Sequence, residues 1–580
     1  MNKTAEANKK NCKELLVQRM FFAIGSSIIV HFILMSGVIL VTNLKITHPL
    51  EWIQNTWNVV TCLRMWTYFL VFSVVVFLQG IICSKDYMNP VAYTSSRFVK
   101  FCHIFTPHNL LVGGLYTILG GVLAWLHLSV EGGRYGSLVK SCEKFQGYCL
   151  VEEHYFLLLE GFWIGLYFFT NASYMGSRNL QFSIVPQSKL SQVKRGIQTV
   201  IANALLDGIW PMIYFLGFYS VFGQYCRNLF TSPFSLLIEE MPLDKISRLL
   251  SMSLIFYAWL HAVLFILIIQ SMHLLFQAYL TEWIPFDIEA VQFSEKSKVS
   301  LTDALTMEKI PVLQQLGYLD LVTIAQKDRS RRALLFTLSQ PGGHPYNWNS
   351  VVEKSLSLIK KFSDGLNSAS ITQKDQVAPI TKNVPTFTAQ VTNKPYTYQM
   401  RSLVSPKPAS APPVIDTVEC QPIATENFVS LYFKNVKKNI INYLLSKRLI
   451  SYVFAEQFEN KLRHVLNDGQ SVIWATDAIS SLAAVSLDED PYGIVQKDLP
   501  EIIEVLLKLK QSLDKLQKMN ISIRKPMSDD RFLKQTLTAL RSAVRRSLYR
   551  IVAHFKNYID DLALPPMTVD QLQPFFTYRE

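Results

Sequence analysis

No glycine-rich phosphate loop with its Lys-Ser/Thr, no dinucleotide glycine fingerprint, no Cys-x-x-Cys and no His-x-x-x-His occurs anywhere in the 580 residues. These absences remove the usual sequence grounds for a nucleotide hydrolase, a nicotinamide or flavin enzyme, or a zinc site. The 11 histidines are scattered, and no pair of them sits with a nucleophile or carboxylate at catalytic spacing. An enzyme is therefore not expected, nor any cofactor or metal. Cysteine is nearly missing from the second half, where Cys420 stands alone among a total of eight; that suits a reducing compartment. The last 300 residues also lack any apolar run long enough to cross a bilayer.

The first 280 residues hold six such runs: Phe21–Leu44, Trp66–Cys83, Leu110–Val130, Tyr155–Met175, Val200–Phe222 and Leu249–Tyr279. A hydrocarbon core of ~30 Å takes about 20 apolar residues as a helix, so each reads as a span. The first is too long for a cleaved signal core and lacks a small-residue cleavage site, so it stays as a span. The fold class expected is all-α: a six-span transmembrane bundle over residues 21–279, after a cytosolic segment 1–20, then a cytosolic, mostly helical region.

An even number of spans puts both termini on one side. The amino terminus and the second and fourth loops carry 12 Lys/Arg, and the opposite loops carry eight. Basic loops face the cytosol, so both termini and the soluble half are expected there. Residues 1–280 hold 20 basic and 13 acidic side chains, and residues 281–580 hold 37 and 31. An anionic cytosolic leaflet accounts for this surplus better than nucleic acid does in a chain already tied to a membrane, and no direct nucleic-acid contact is expected. Cys142 and Cys149 fall in the same lumenal loop, and their spacing leaves open a small disulfide-closed loop or two thiols. Asn171-Ala-Ser173 fits a glycosylation acceptor but sits at the cytosolic end of a span, so it is expected to be unmodified.

Two carboxylates, Glu160 and Asp207, lie within spans. Such groups are costly in hydrocarbon and face the bundle interior or water. They suit either a proton or ion path or a satisfied structural position. A transporter or channel with a regulatory tail is thus the alternative to a membrane anchor. The spans lack intramembrane Lys or Arg partners and show no repeat symmetry between their two halves, which favours the anchor.

In the soluble half, residues 280–366 form a juxtamembrane helical segment. It contains Leu338-Ser-Gln-Pro-Gly-Gly-His-Pro-Tyr-Asn-Trp348. Gly342, Gly343, His344 and Pro345 set a tight corner there, and Trp348 can anchor it to a neighbouring core. Residues 367–425 are rich in Pro, Ser and Thr without apolar period, the composition of a disordered linker. Helical periodicity resumes over 426–580 as a carboxy-terminal docking domain. One apolar stripe runs from Val429 to Leu444 with Lys434, Lys437 and Lys438 off it, a pattern that fits either a membrane-surface helix or a core helix. Ser471–Leu487 is an Ala-rich helix around Trp474. Asp498-Leu-Pro-Glu501 resembles a helix start leading into Ile502, Ile503, Leu506, Leu509, Leu513 and Leu516. Leu540, Val544, Leu548, Ile551, Phe555 and Ile559 make a last stripe.

The six-span amino half, the Gly-Gly-His-Pro run, the Pro/Ser/Thr linker, Leu445-Ser-Lys-Arg448, Ile473-Trp-Ala475 and Tyr492-Gly-Ile-Val-Gln496 together resemble the Ndc (nuclear division cycle) family of transmembrane nucleoporins. The resemblance covers nearly the whole chain in the same order. It implies a non-enzymatic pore-membrane protein of the nuclear envelope that anchors the nuclear pore complex and supports pore assembly. Its cytosolic half would hold scaffold (inner-ring) nucleoporins and an ALADIN-type WD-repeat nucleoporin.

Overall fold

A computed structural model describes the chain except residues 1, 44–47, 89–92, 132–134, 143–147, 176–179, 181, 183–187, 235–242, 244–245, 289–298, 339–342, 378–446, 457, 521–529 and 577–580. Two compact units result: Met1–Ser370 together with Glu456–Glu580, and Ile371–Ala455.

The larger unit opens with ten helices: α1 (Asn2–Thr42), α2 (Pro49–Thr61), α3 (Leu63–Met88), α4 (Arg97–Ile104), α5 (Pro107–Glu131), α6 (Glu152–Met175), α7 (Lys189–Asp207), α8 (Ile209–Phe234), α9 (Ile246–Leu249) and α10 (Met252–Leu280). Among the described residues, five stretches are long and apolar enough to cross a bilayer: Lys13–Thr42, Leu63–Lys85, Pro107–Val130, Lys189–Phe234 and Met252–Leu280. The fourth run expected as a span lies in α6, whose apolar character Glu160 dilutes. The Lys189–Phe234 stretch has 46 residues; a straight helix of that length would reach about 69 Å, more than twice the hydrocarbon thickness. It is divided at Gly208, whose N–H donates to the Ala204 carbonyl at 3.0 Å.

Helix α10 is apolar around its whole circumference and correspondingly buried, with α1, α6, α7 and α8 packed about it. The closest pairing is α5 against α6. Gly161-Phe-Trp-Ile-Gly165 on α6 meets Gly120 on α5, and a Cβ on Gly161 would stand 2.6 Å from the Gly120 oxygen and 2.7 Å from the Ala124 Cβ. Glycines four apart let membrane helices approach backbone to backbone, where packing substitutes for a hydrophobic driving force.

Among the described residues, one pair of strands departs from all-α, apart from a single bridge between Asp287 and Ser300. Strands β1 (Val139–Ser141) and β2 (Tyr148–Leu150) pair antiparallel between α5 and α6, with Lys140 opposite Cys149. Three residues per strand are too few for alternation to show in the sequence.

Beyond α10 come α11 (Leu301–Thr306), α12 (Pro311–Lys327), α13 (Arg329–Leu335) and α14 (Tyr346–Val377), which continues into the stretch expected to be linker. Then follow α15 (Arg448–Phe454), α16 (Phe458–Leu466), α17 (Gly469–Glu489), α18 (Ile494–Asn520), α19 (Asp530–Phe555), a 3-10 turn (Lys556–Asp561) and α20 (Pro566–Phe576). The smaller unit contributes α15 and the end of α14; Leu449, Tyr452 and Phe454 on α15 are exposed.

In the larger unit α17 is buried on nearly every side. Its alanines and serines let α12 and α19 approach it closely. The stripes expected on α18 and α19 are buried as well. Helix α18 opens at Ile494, five residues before the Leu499 start that an Asp498 cap suggests. Gly493 adopts φ 64°, and the Asp490 carboxylate accepts from the N–H groups of Tyr492 and Val495 at 3.0 Å each. One apolar core runs without interruption from Leu16 through Phe276, Leu280 and Phe286 to Trp348, Leu482 and Leu548.

Replacing Gly161 by Val forces the α5 and α6 backbones apart. We expect it to cost about 1–3 kcal/mol or more, read as a lower melting temperature of the detergent-solubilised protein; Gly114→Val, on a glycine with open space beside it, should melt as the parent does.

Candidate functional site

Where the chain leaves the last long apolar helix, it is clamped. The C-terminal end of α10 carries the negative end of the helix dipole, and two cations meet it. The Arg19 guanidinium donates to the carbonyls of Tyr279 (3.2 Å) and Glu282 (2.7 Å), and Lys189 pairs with the Glu282 carboxylate at 2.8 Å. Directly after Glu282, at residues 283–286, the backbone passes over Asp320 of α12, which is fully buried. Its carboxylate accepts from Trp283 Nε1 (3.2 Å), from the Phe286 N–H (2.9 Å), and from both Nη atoms of Arg331 (3.0 and 2.6 Å). Arg331 also donates to the Phe286 carbonyl. A buried carboxylate is tolerated only with its lone pairs occupied, and here four donors converge on it.

The stretches on either side of residues 378–446 are knit into one helical module. Arg332 of α13 makes a two-pronged contact with Glu489 at the end of α17 (2.8 and 2.9 Å). That hydrogen bonding holds the Glu489 carboxyl below its ordinary pKa and the guanidinium above its own. Trp348, buried in the first turn of α14, donates from Nε1 to Asp498 at 2.9 Å and faces the Phe336 ring. Lys360 pairs with Glu501 at 2.6 Å, and the hydroxyls of Ser363 and Ser512 meet at 3.0 Å.

Loops of the apolar bundle touch this module. The Tyr93 hydroxyl, between α3 and α4, donates to Glu456, and its ring lies against His464. Phe182, between α6 and α7, sits edge-on to Trp474 with centroids 5.7 Å apart. The opposite end of the bundle has its own polar cluster. Glu152, in the first turn of α6, accepts from Arg227 (2.5 Å), the Tyr219 hydroxyl (3.1 Å) and the Leu243 N–H (3.0 Å). The sulfurs of Cys142 and Cys149 stand at bonding distance there, their Cα atoms 5.2 Å apart.

Of the corner residues, Gly343 and Pro345 are half-buried, His344 is exposed and Trp348 buried; Gly342 lies outside the described residues. Lys434, Lys437 and Lys438 lie outside them too. Asp207 is exposed on the outside of the bundle, beside the break at Gly208. Glu160 is sealed, and its two oxygens have no hydrogen-bond partner among the described residues. His127 and His261 meet at 2.9 Å inside the bundle. Sequence reasoning missed that pair and the Asp320 clamp, because each joins residues far apart in the chain. Among the described residues no group of His, Cys, Asp and Glu could hold a metal ion.

The family model described as nucleoporin protein Ndc1-Nup matches residues 14–573. The chain belongs to that family. Relatives of the Ndc1-Nup chain include mouse nucleoporin NDC1, 25% identical over 97% of this chain and 96% of the mouse one. The human nucleoporin NDC1 is 25% identical, covering 93% and 94%. Nucleoporin Ndc1 of Drosophila melanogaster is 27% identical, covering 98% and 99%. As an Ndc1 transmembrane nucleoporin, this chain is a structural component of the nuclear pore and not an enzyme.

Removing Asp320 leaves Arg331, the Trp283 indole and the Phe286 N–H without their shared acceptor. Asp320→Ala should cost about 3–5 kcal/mol and expose residues 281–288 to limited proteolysis in the detergent-solubilised protein. For the Arg332–Glu489 pair the sign follows from the lowered carboxyl pKa. Its contribution is complete above the ordinary Glu value of 4.5 and is lost as pH falls through the depressed folded value. Glu489→Gln should therefore lower the melting temperature at pH 7, and the gap from the parent should close on acidification below that range.

Proposed function

We propose that this nucleoporin anchors the scaffold of the nuclear pore complex in the nuclear envelope and supports pore assembly. It crosses the membrane six times, by α1, α3, α5, α6, the α7–α8 pair and α10, with both termini on the cytosolic, pore-facing side. The observation that carries the topology is the set of contacts at one end of the bundle. Arg19, Tyr93, Phe182, Lys189 and Glu282 all lie at that end. They belong to the amino-terminal helix, the second and fourth loops and the exit of α10, as an even number of crossings requires. The basic-loop excess is on the same side. The Cys142–Cys149 loop then faces the oxidising lumen, where a disulfide persists.

The helical module seated at the cytosolic end is the docking surface for inner-ring nucleoporins and for a WD-repeat nucleoporin of the ALADIN type. The described part of the corner, Gly343, His344 and Pro345, leads directly into α14 and sets its direction within the module. A transporter would need polar groups converging inside the bundle. Asp207 is exposed on the outside and the buried Glu160 accepts no hydrogen bond among the described residues; the buried His127–His261 pair by itself is a single contact and not a path, which supports the anchor instead.

In sealed nuclear-envelope or endoplasmic-reticulum vesicles, cytosolic side out, protease should digest residues 423–580 while leaving a Cys142–Cys149 loop epitope protected. The tagged protein should mark a punctate nuclear rim and co-purify with inner-ring components. Protection of residues 423–580 would refute the topology, and a plasma-membrane pattern with solute flux would favour the transporter.

A further inference from the structure

Helix α2 has a face that nothing in the protein covers. At 13 residues it is about 20 Å long, too short to span the bilayer. Leu50, Ile53 and Trp57 are 83%, 56% and 68% exposed, and their i, i+3, i+7 spacing puts them on one line along the helix. Thr56 is buried, and Trp52, Val59 and Val60 are half-buried on the neighbouring arc that meets the bundle. Glu51, Gln54, Asn55 and Asn58 fill the remaining arc and are exposed. The helix thus has three sectors: one against protein, one polar, one apolar and uncovered.

What covers the apolar sector follows from its surroundings. Leu40 and Val41 of α1, and Leu63, Trp66 and Leu70 of α3, are exposed apolar residues of membrane-crossing stretches, and α2 joins them through one residue, Cys62, at its carboxy end. The Trp52 indole donates to the Leu40 carbonyl at 2.7 Å, tying the helix to the end of α1. The uncovered sector is therefore continuous with the lipid-facing surface. We propose that α2 lies in the plane of the bilayer, with Leu50, Ile53 and Trp57 inserted at the acyl boundary of the leaflet opposite the helical module.

Its charge fits that leaflet. Glu51 is the one charged residue in α2, so its binding is driven by apolar insertion without help from anionic lipid. At the other end of α3, the short α4 and the Phe105 that caps it combine exposed Phe98, Phe101 and Phe105 with Arg97 and Lys100, the composition expected beside an anionic cytosolic leaflet. Only the naming of the α2 leaflet as lumenal rests on the topology proposed above.

The test uses full-length protein with its other reactive thiols replaced by serine, an NBD dye on Ile53→Cys or Asn58→Cys, and vesicles of phosphatidylcholine. The two positions lie roughly 140° apart around the helix. The dye at 53 should emit to the blue of the dye at 58. It should be quenched by lipid spin-labelled near the headgroup and resist iodide, while the dye at 58 is quenched by iodide. Adding phosphatidylserine should leave the contrast unchanged. Equal iodide access at both positions overturns the proposal, as does quenching of position 53 only by a label deep in the chains. Separately, an impermeant maleimide should reach Cys62 in sealed vesicles only after permeabilisation. Labelling before it would sink the topology while the NBD contrast still reports insertion.

Discussion

The carboxylate of Asp320 is the point on which the relation between the two halves turns. Four donors meet it, and they come from two places: the chain just leaving α10, through the Trp283 indole and the Phe286 N–H, and Arg331 of the helix that follows α12. The apolar core is continuous across the same region, but apolar contact is non-directional and fixes no angle. The converging hydrogen bonds do. With Arg19 and Lys189 holding the end of α10 from the other side, the exit segment is held between a membrane clamp and a soluble one. The helical module inherits its orientation from that short stretch.

The bundle has a corresponding internal logic. Without a hydrophobic force between helices in lipid, α5 and α6 hold by backbone proximity, which glycine alone permits at Gly120, Gly161 and Gly165. At the end away from the module, the buried Glu152–Arg227 pair is acceptable because Tyr219 and the Leu243 N–H satisfy the remaining acceptor sites. Each end of the bundle is thus closed by charge, and the middle by shape.

Periodicity and hydropathy made much of this legible. The apolar runs locate the long helices, and the stripes on α18 and α19 are readable down to individual residues, because burial of one helix face repeats every three to four positions. What escaped was of two kinds. Local chemistry misled at Asp498, where a capping pattern sits inside a helix that Asp490 and Gly493 had already started; the Asp498 carboxylate serves Trp348 instead. Non-local chemistry left no trace: Arg332 and Glu489 are 157 positions apart, and nothing in composition or spacing couples them. Glu160 and Asp207 looked alike as intramembrane carboxylates, yet one is enclosed and the other faces outward, a difference set by which side of each helix meets α10 and α5.

The position of residues 378–446 within the chain has a consequence for how the protein can change. Ser370 and Glu456, which flank the smaller unit on either side, both belong to the larger one, so the chain leaves the larger unit once and returns to it. Insertion there lengthens a connection whose two ends are fixed in the larger unit, and closure entropy rises only slowly with the length closed. A break in the backbone there would leave two fragments still joined by the packing of α12 on α17 and the Arg332–Glu489 contact. Sequence can therefore drift and grow in that stretch while the surface held against the membrane stays where it is.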